Sequence, residues 1–170
     1  MFASHQMPGL FQTQEYAAAI FRLGQPTMKD EEIQRRVDVR MARQDRLTTD
    51  PVTVRAVLGE AVLRCRVGSA EVTAKQLLRV NQIGELPNVL IQALPFISSA
   101  YADAKPFILL DFERGDPGLT YIEHRTGALY LDKPEEIGSF RMIFEQLQAA
   151  ALGPDESRSM IAAAAQQHTA

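Results

Sequence analysis

Residues 88–96 (NVLIQALPF) form a nearly unbroken apolar run, which suits a strand buried on both faces. A strand of that kind needs cover on two sides, so helices must pack against it. Upstream, residues 52–58 set Val52, Val54, Ala56 and Leu58 on one side and Thr53, Arg55 and Val57 on the other, a two-residue period rich in β-branched side chains. Between the two lies a helical stretch: Ser69 is placed to cap it, and Val72, Leu77, Val80 and Ile83 recur on one face. Strand, helix and strand are long enough for a crossover connection, so the two strands are expected to be parallel.

Three further strands are expected, over residues 107–113, 119–124 and 128–132. Arg125, Thr126 and Gly127 form a short hairpin loop between the last two. On the N-terminal side, Thr13 can cap a helix that carries Tyr16, Ala17, Ile20 and Phe21 inward and stops at Gly24 and Pro26. A second helix runs on to Leu47 with Ile33, Val37 and Met41 at four-residue spacing. Arg40 lies beside that stripe and is the arginine expected to be partly buried. At the C-terminal end, Ile137, Phe140, Phe144, Leu147 and Ala151 mark an amphipathic helix. Pro154 then opens a last helix through Ala165, whose small apolar residues predict weak docking. The expected fold is α+β: a mixed five-stranded sheet, one crossover pair plus a three-stranded antiparallel meander, packed with N-terminal and C-terminal helices. A single domain over residues 1–170 fits this length, because domains typically run to roughly 100–200 residues.

Composition argues against several classes of function. The net charge is −3, where a chain that grips phosphates carries a basic surplus, so no direct nucleic-acid binding is expected. The charge is uneven: residues 35–66 hold eight arginines against four acids, and residues 103–136 hold eight acids against four bases. Such asymmetry suits a polar protein interface or internal pairing. One cysteine, Cys65, excludes an internal disulfide and suits a reducing compartment. No apolar run approaches the roughly 18 residues of a membrane span, and residues 1–7 lack the pattern of a signal peptide, so a cytoplasmic location is expected. His5, His124 and His168 lie apart at no metal-ligand spacing, and no phosphate loop or nucleophile elbow is present, so no catalytic residue, metal or cofactor is assigned. Among the acids, Glu60 stands at a strand end, where a carboxylate needs a partner. Arg40, Arg43 or Gln44 is expected to supply it as a polar clamp, and the same groups with Gln76 offer the lining of a pocket.

Several stretches, in order, resemble one family. Residues 7–17 (MPGLFQTQEYA) look like its opening PGLLQT-x-x-YA signature, and residues 40–44 (RMARQ) look like its R-x-x-RQ. Residues 58–63 (LGEAVL), 75–78 (KQLL), 88–96, 107–112 (FILLDF) and 121–123 (YIE) continue the series. Residues 150–161 (AALGPDESRSMI) are similar to its closing AL-S-P-E-E-S-R-x-x-I, with Gly153 in place of the serine. The family is the C-terminal domain of actinobacterial WhiJ-like, Scr-type antitoxin-like regulators of the XRE helix-turn-helix class. Arginine outnumbering lysine, 14 to 4, agrees with a GC-rich genome. In that family a helix-turn-helix domain precedes the opening signature; with six residues ahead of Met7, this chain is expected to be the regulatory domain alone.

The resemblance implies a transcription regulator whose C-terminal domain binds a small toxin-like protein encoded nearby, and not an enzyme. A homodimer is also allowed. The expected partner surface is the acidic hairpin, with Tyr121, Glu123, Arg125 and Tyr130 on it, because tyrosine and arginine tend to dominate interface energies. The competing reading is a small-molecule effector domain built around Arg40, Gln44, Glu60 and Gln76.

Overall fold

The computed structural model describes residues 1–49, 51–102, 104–112, 117–124 and 126–169. It contains two three-stranded sheets, where the sequence pattern predicts one sheet of five strands. In the first, β1 (Phe2–Ala3), β2 (Val54–Gly59) and β3 (Val89–Leu94) lie parallel in the order β1-β2-β3. In the second, β4 (Ile108–Leu110), β5 (Leu119–His124) and β6 (Gly127–Leu131) form an antiparallel meander. The only bridge between the sheets among the described residues joins Phe2 and Phe107, through Phe2 N to Phe107 O at 2.9 Å and Phe107 N to Phe2 O at 3.2 Å. The physical reason for the split is β1. Residues 1–3 occupy the flank of β2 that a continuous sheet would have given to the meander, and two residues carry too little periodicity to be read as a strand.

The crossover is present as expected. β2 pairs in parallel with β3 from Val54 opposite Val89 to Gly59 opposite Leu94, and α4 (Ala70–Ile83) connects them. Ser69 caps α4 by accepting from Val72 N at 3.2 Å. Val57, Leu58, Ala93 and Leu94 are fully buried, which accounts for the apolar run: this sheet is covered on both faces. One cluster joins Leu58 and Ile91 to Phe11, Tyr16, Leu63, Leu77 and Ile161; the other joins Val57 and Leu94 to Phe107, Phe144 and Leu147. β2 ends against Tyr101. A Cβ on Gly59 would sit 2.9 Å from that ring, whose hydroxyl accepts from Ala61 N and donates to Ser4 O.

Further helices surround this centre. α1 (Gln14–Gly24) is capped by Thr13, whose hydroxyl accepts from Tyr16 N at 3.3 Å. α2 (Asp30–Gln44) begins after Lys29, with acids filling its first turn. α5 (Pro134–Ala150) buries Ile137, Phe144 and Leu147. α6 (Pro154–Thr169) corrects the expectation of weak docking: it packs along α4, with Ser157, Ile161, Ala164 and Ala165 buried. Small side chains let the helix axes approach closely, and polar ties fasten the ends. Asn81 Nδ2 donates to Arg158 O at 3.1 Å, and the His168 ring nitrogen Nε2 lies 2.9 Å from Leu63 O. Gly153 does not leave the helix start bare, because its N–H donates to Glu156 Oε2 at 3.2 Å. The short α3 (Glu60–Arg64) links β2 to the α4 region.

Candidate functional site

A buried polar network forms around the N-terminal turn. Pro8 leads into a 3-10 turn, Gly9–Phe11, and Gln12 follows with only 1% of its surface exposed. A buried amide needs partners for both ends. Gln12 Nε2 donates to Met7 O at 2.7 Å, and its Oε1 accepts from Arg40 Nη1 at 2.6 Å. Gln76, also fully buried, donates from Nε2 to Phe11 O and accepts from Thr13 N, both at 2.7 Å. Gln44 Nε2 reaches Gln12 O at 2.6 Å and Gly9 O at 3.3 Å. Three side chains from α2 and α4 thus satisfy a turn that has no ladder of its own.

Arg40 is half-buried, with its guanidinium carbon 4.4 Å from the Phe21 ring centroid. Burial pulls the Arg40 guanidinium below its usual range, and the Glu123 carboxylate opposes that pull. The cation holds a glutamine, not an acid.

Of the expected clamp, Arg40, Gln44 and Gln76 come together, and Glu60 and Arg43 do not join them. Glu60 pairs with Arg64 one turn along α3 at 3.0 Å, and its other oxygen accepts from Phe96 N at 2.9 Å. The nearer partner on its own helix satisfies it first. Arg43 is exposed. Gln12 was missed as a centre because a glutamine in a turn gives no periodic signal; its place inside the 7–17 signature was the only pointer.

Gln12 and Gln76, at the centre of the network, are fully buried, while Arg40 and Gln44 are half-buried. A groove of about 850 Å³ lies elsewhere, between α1 and the start of α4. Ala18, Ala19 and Val72 line it with Glu15, Arg22 and Arg66. Gly68 closes one side at φ +69°, where an added Cβ would meet Ala19 at 3.3 Å. Cys65 is exposed at the end of α3. Among the described residues, no group of histidine, cysteine and carboxylate side chains could hold a metal ion, and no helix is long and apolar enough to cross a membrane.

A family model described as a domain of unknown function, DUF5753, matches residues 1–163. The chain belongs to that family. No curated protein and no solved structure matches this DUF5753 chain.

The hairpin of the DUF5753 chain carries the expected interface residues. Register sets Ile108, Tyr121 and Tyr130 in one row, and Glu123 opposite Ala128. The Tyr121 and Tyr130 rings lie 5.2 Å apart. Leu109, Thr120 and Ile122 occupy the other face, where Leu109 and Ile122 pack against the cluster that holds Phe144. Tyr130 is 61% exposed and Glu123 is exposed. Burial, and then the Glu123 charge, raise the Tyr121 hydroxyl above the usual tyrosine range. Arg125 lies outside the described residues. Because Glu123 acts on Arg40, the hairpin and the polar network are electrostatic neighbours, a link no spacing in the sequence signals.

Proposed function

We propose that this DUF5753 chain is the regulatory, partner-binding domain of an antitoxin-like transcription regulator, and not an enzyme. It captures a small toxin-like protein encoded nearby and controls gene expression through a helix-turn-helix domain outside these 170 residues. The observation that carries this reading is the outer hairpin face, where the tilted ring pair of Tyr121 and Tyr130 stands beside the exposed Glu123 carboxylate. Aromatic anchors with a charged rim fit protein capture. The ordered resemblance to WhiJ-like regulators supports the rest, and the acidic balance accords with leaving DNA to another domain.

Co-expression with the adjacent small protein tests the reading. A stable complex is expected, and Tyr121→Ala or Glu123→Lys is expected to weaken it by at least about 1 kcal/mol without unfolding the chain. Absence of a complex sinks the reading. The groove of about 850 Å³ favours a second one, a small-molecule effector domain. A metabolite that raises the melting temperature of this chain, with the gain lost in Arg66→Ala, selects that alternative.

A further inference from the structure

The molecule treats its two outer strand edges differently. At β3, Ala93 N donates to Ser157 Oγ at 2.8 Å and Ala93 O accepts from Leu152 N at 2.9 Å. Gln92 adds a bond from Nε2 to Leu152 O at 3.0 Å. The turn between α5 and α6 therefore closes that edge. At β6 nothing comparable occurs: among the described residues the strand hydrogen-bonds only across to β5. Five residues of strand leave an open edge about 17 Å long, at roughly 3.4 Å per residue.

Open edges are normally blunted by lysine, proline or a bulge. β6 reads GALYL, with no charge and no proline, and its register to β5 is unbroken from Gly127 to Leu131. Leu129 is 48% exposed and Tyr130 61%. An apolar edge left unguarded on one side of a molecule that covers the other side is a template for strand addition. The surrounding charge selects the occupant. Residues 123–136 hold Glu123, Asp132, Glu135 and Glu136 against Arg125 and Lys133. A second copy laid antiparallel on β6 would bring these acids together; a basic strand would neutralise them.

We infer that the free edge of β6 is a β-augmentation site that takes an extended, basic segment of another protein, Tyr130 and Leu129 contacting its alternate side chains. The inference rests on the partner-binding reading and specifies its geometry. Main-chain bonds supply the attachment, so the chemistry of Leu129 matters through charge more than shape.

Hydrogen–deuterium exchange of the full chain, alone and saturated with the small protein encoded beside it, reads the amides of residues 127–131. Slowing of these amides by about tenfold or more is expected. Leu129→Lys should weaken the complex about tenfold, and Leu129→Thr by less than about threefold, because threonine keeps a strand-forming, neutral edge. A complex that forms while residues 127–131 exchange unchanged overturns the edge site and leaves partner binding standing. If no complex forms, the partner reading is what fails. An alternating lysine–valine octapeptide and its backbone N-methylated twin then judge the edge alone: slowing by the first and not the second supports it, and slowing by neither overturns it. Slowing that grows with the chain's own concentration, with doubled mass in light scattering, overturns the basic occupant in favour of a second copy.

Discussion

The two three-stranded sheets differ in nearly every physical respect. The parallel sheet has side chains buried on both faces, helices on either side and its outer edge closed by Leu152 and Ser157. The antiparallel meander rests one face on α5 and presents the other, with Tyr121 and Tyr130, and its β6 edge is open. A parallel pair requires a long crossover, and the crossover brings its own cover. A hairpin requires only a tight loop, so nothing in its connection obliges a second layer. The difference assigns stability to one half of the molecule and surface chemistry to the other.

The sharpest test of that division compares two leucines. Leu58 is fully buried in β2, and Leu58→Ala should cost about 3–4 kcal/mol in urea unfolding, in the range for emptied core sites. Leu129→Ala at the β6 edge should cost less than about 1 kcal/mol, since half of that side chain already meets solvent. Comparable losses at the two sites would break the comparison.

Next in size is the buried amide network. Gln76→Leu removes the partners of Phe11 O and Thr13 N, and two stranded backbone groups should cost about 2–4 kcal/mol. A loss under about 1 kcal/mol would mean that the turn at Gly9–Phe11 is held by something other than this glutamine.

Ser157→Ala probes the closed edge of β3. It removes the acceptor for Ala93 N and the donor to Leu152 O, and a loss of about 1–2 kcal/mol is expected. Amide exchange at Ala93 should accelerate while exchange in β6 stays as it was. Acceleration in both sheets would show that the edges are coupled.

The smallest effect is confined to high pH. Burial raises the Tyr16 hydroxyl above its usual range. The folded form therefore stays neutral where the unfolded chain ionises, near pH 10. The stability Tyr16 contributes is complete below that pH and is lost as the pH rises through the folded value. Denaturation melts of the wild-type chain and Tyr16→Phe between pH 8 and about 11 should diverge only in the upper part of that range. Parallel curves throughout would place the Tyr16 hydroxyl in contact with solvent.

Much of the helical frame was legible because its signals are local. Thr13 and Ser69 cap the helices that their hydroxyls suggested, and the periodic stripes of α1, α4 and α5 face the core. The crossover pair was legible from two apolar strands and the helix length between them. The partners of polar groups were not. Glu60 chose Arg64, Arg40 chose Gln12, and Gln76 bonded to the turn near Phe11 because burial and distance rank partners in space, where spacing along the chain carries no such order.

By itself, then, the sequence determined which segments coil, which extend and which faces turn inward, since hydrophobic period, capping hydroxyls and turn residues act within a few positions of themselves. Only the tertiary structure decided that two residues at the start become a strand, dividing the expected sheet in two, and that α6 with its small residues packs tightly along α4. It also decided which edge is closed and which is open. The place of β1 and the closure of the β3 edge arise from pairings such as Phe2 with Val57 and Ala93 with Leu152, distant along the chain, and the free energy of such a pairing depends on what else competes for the same flank.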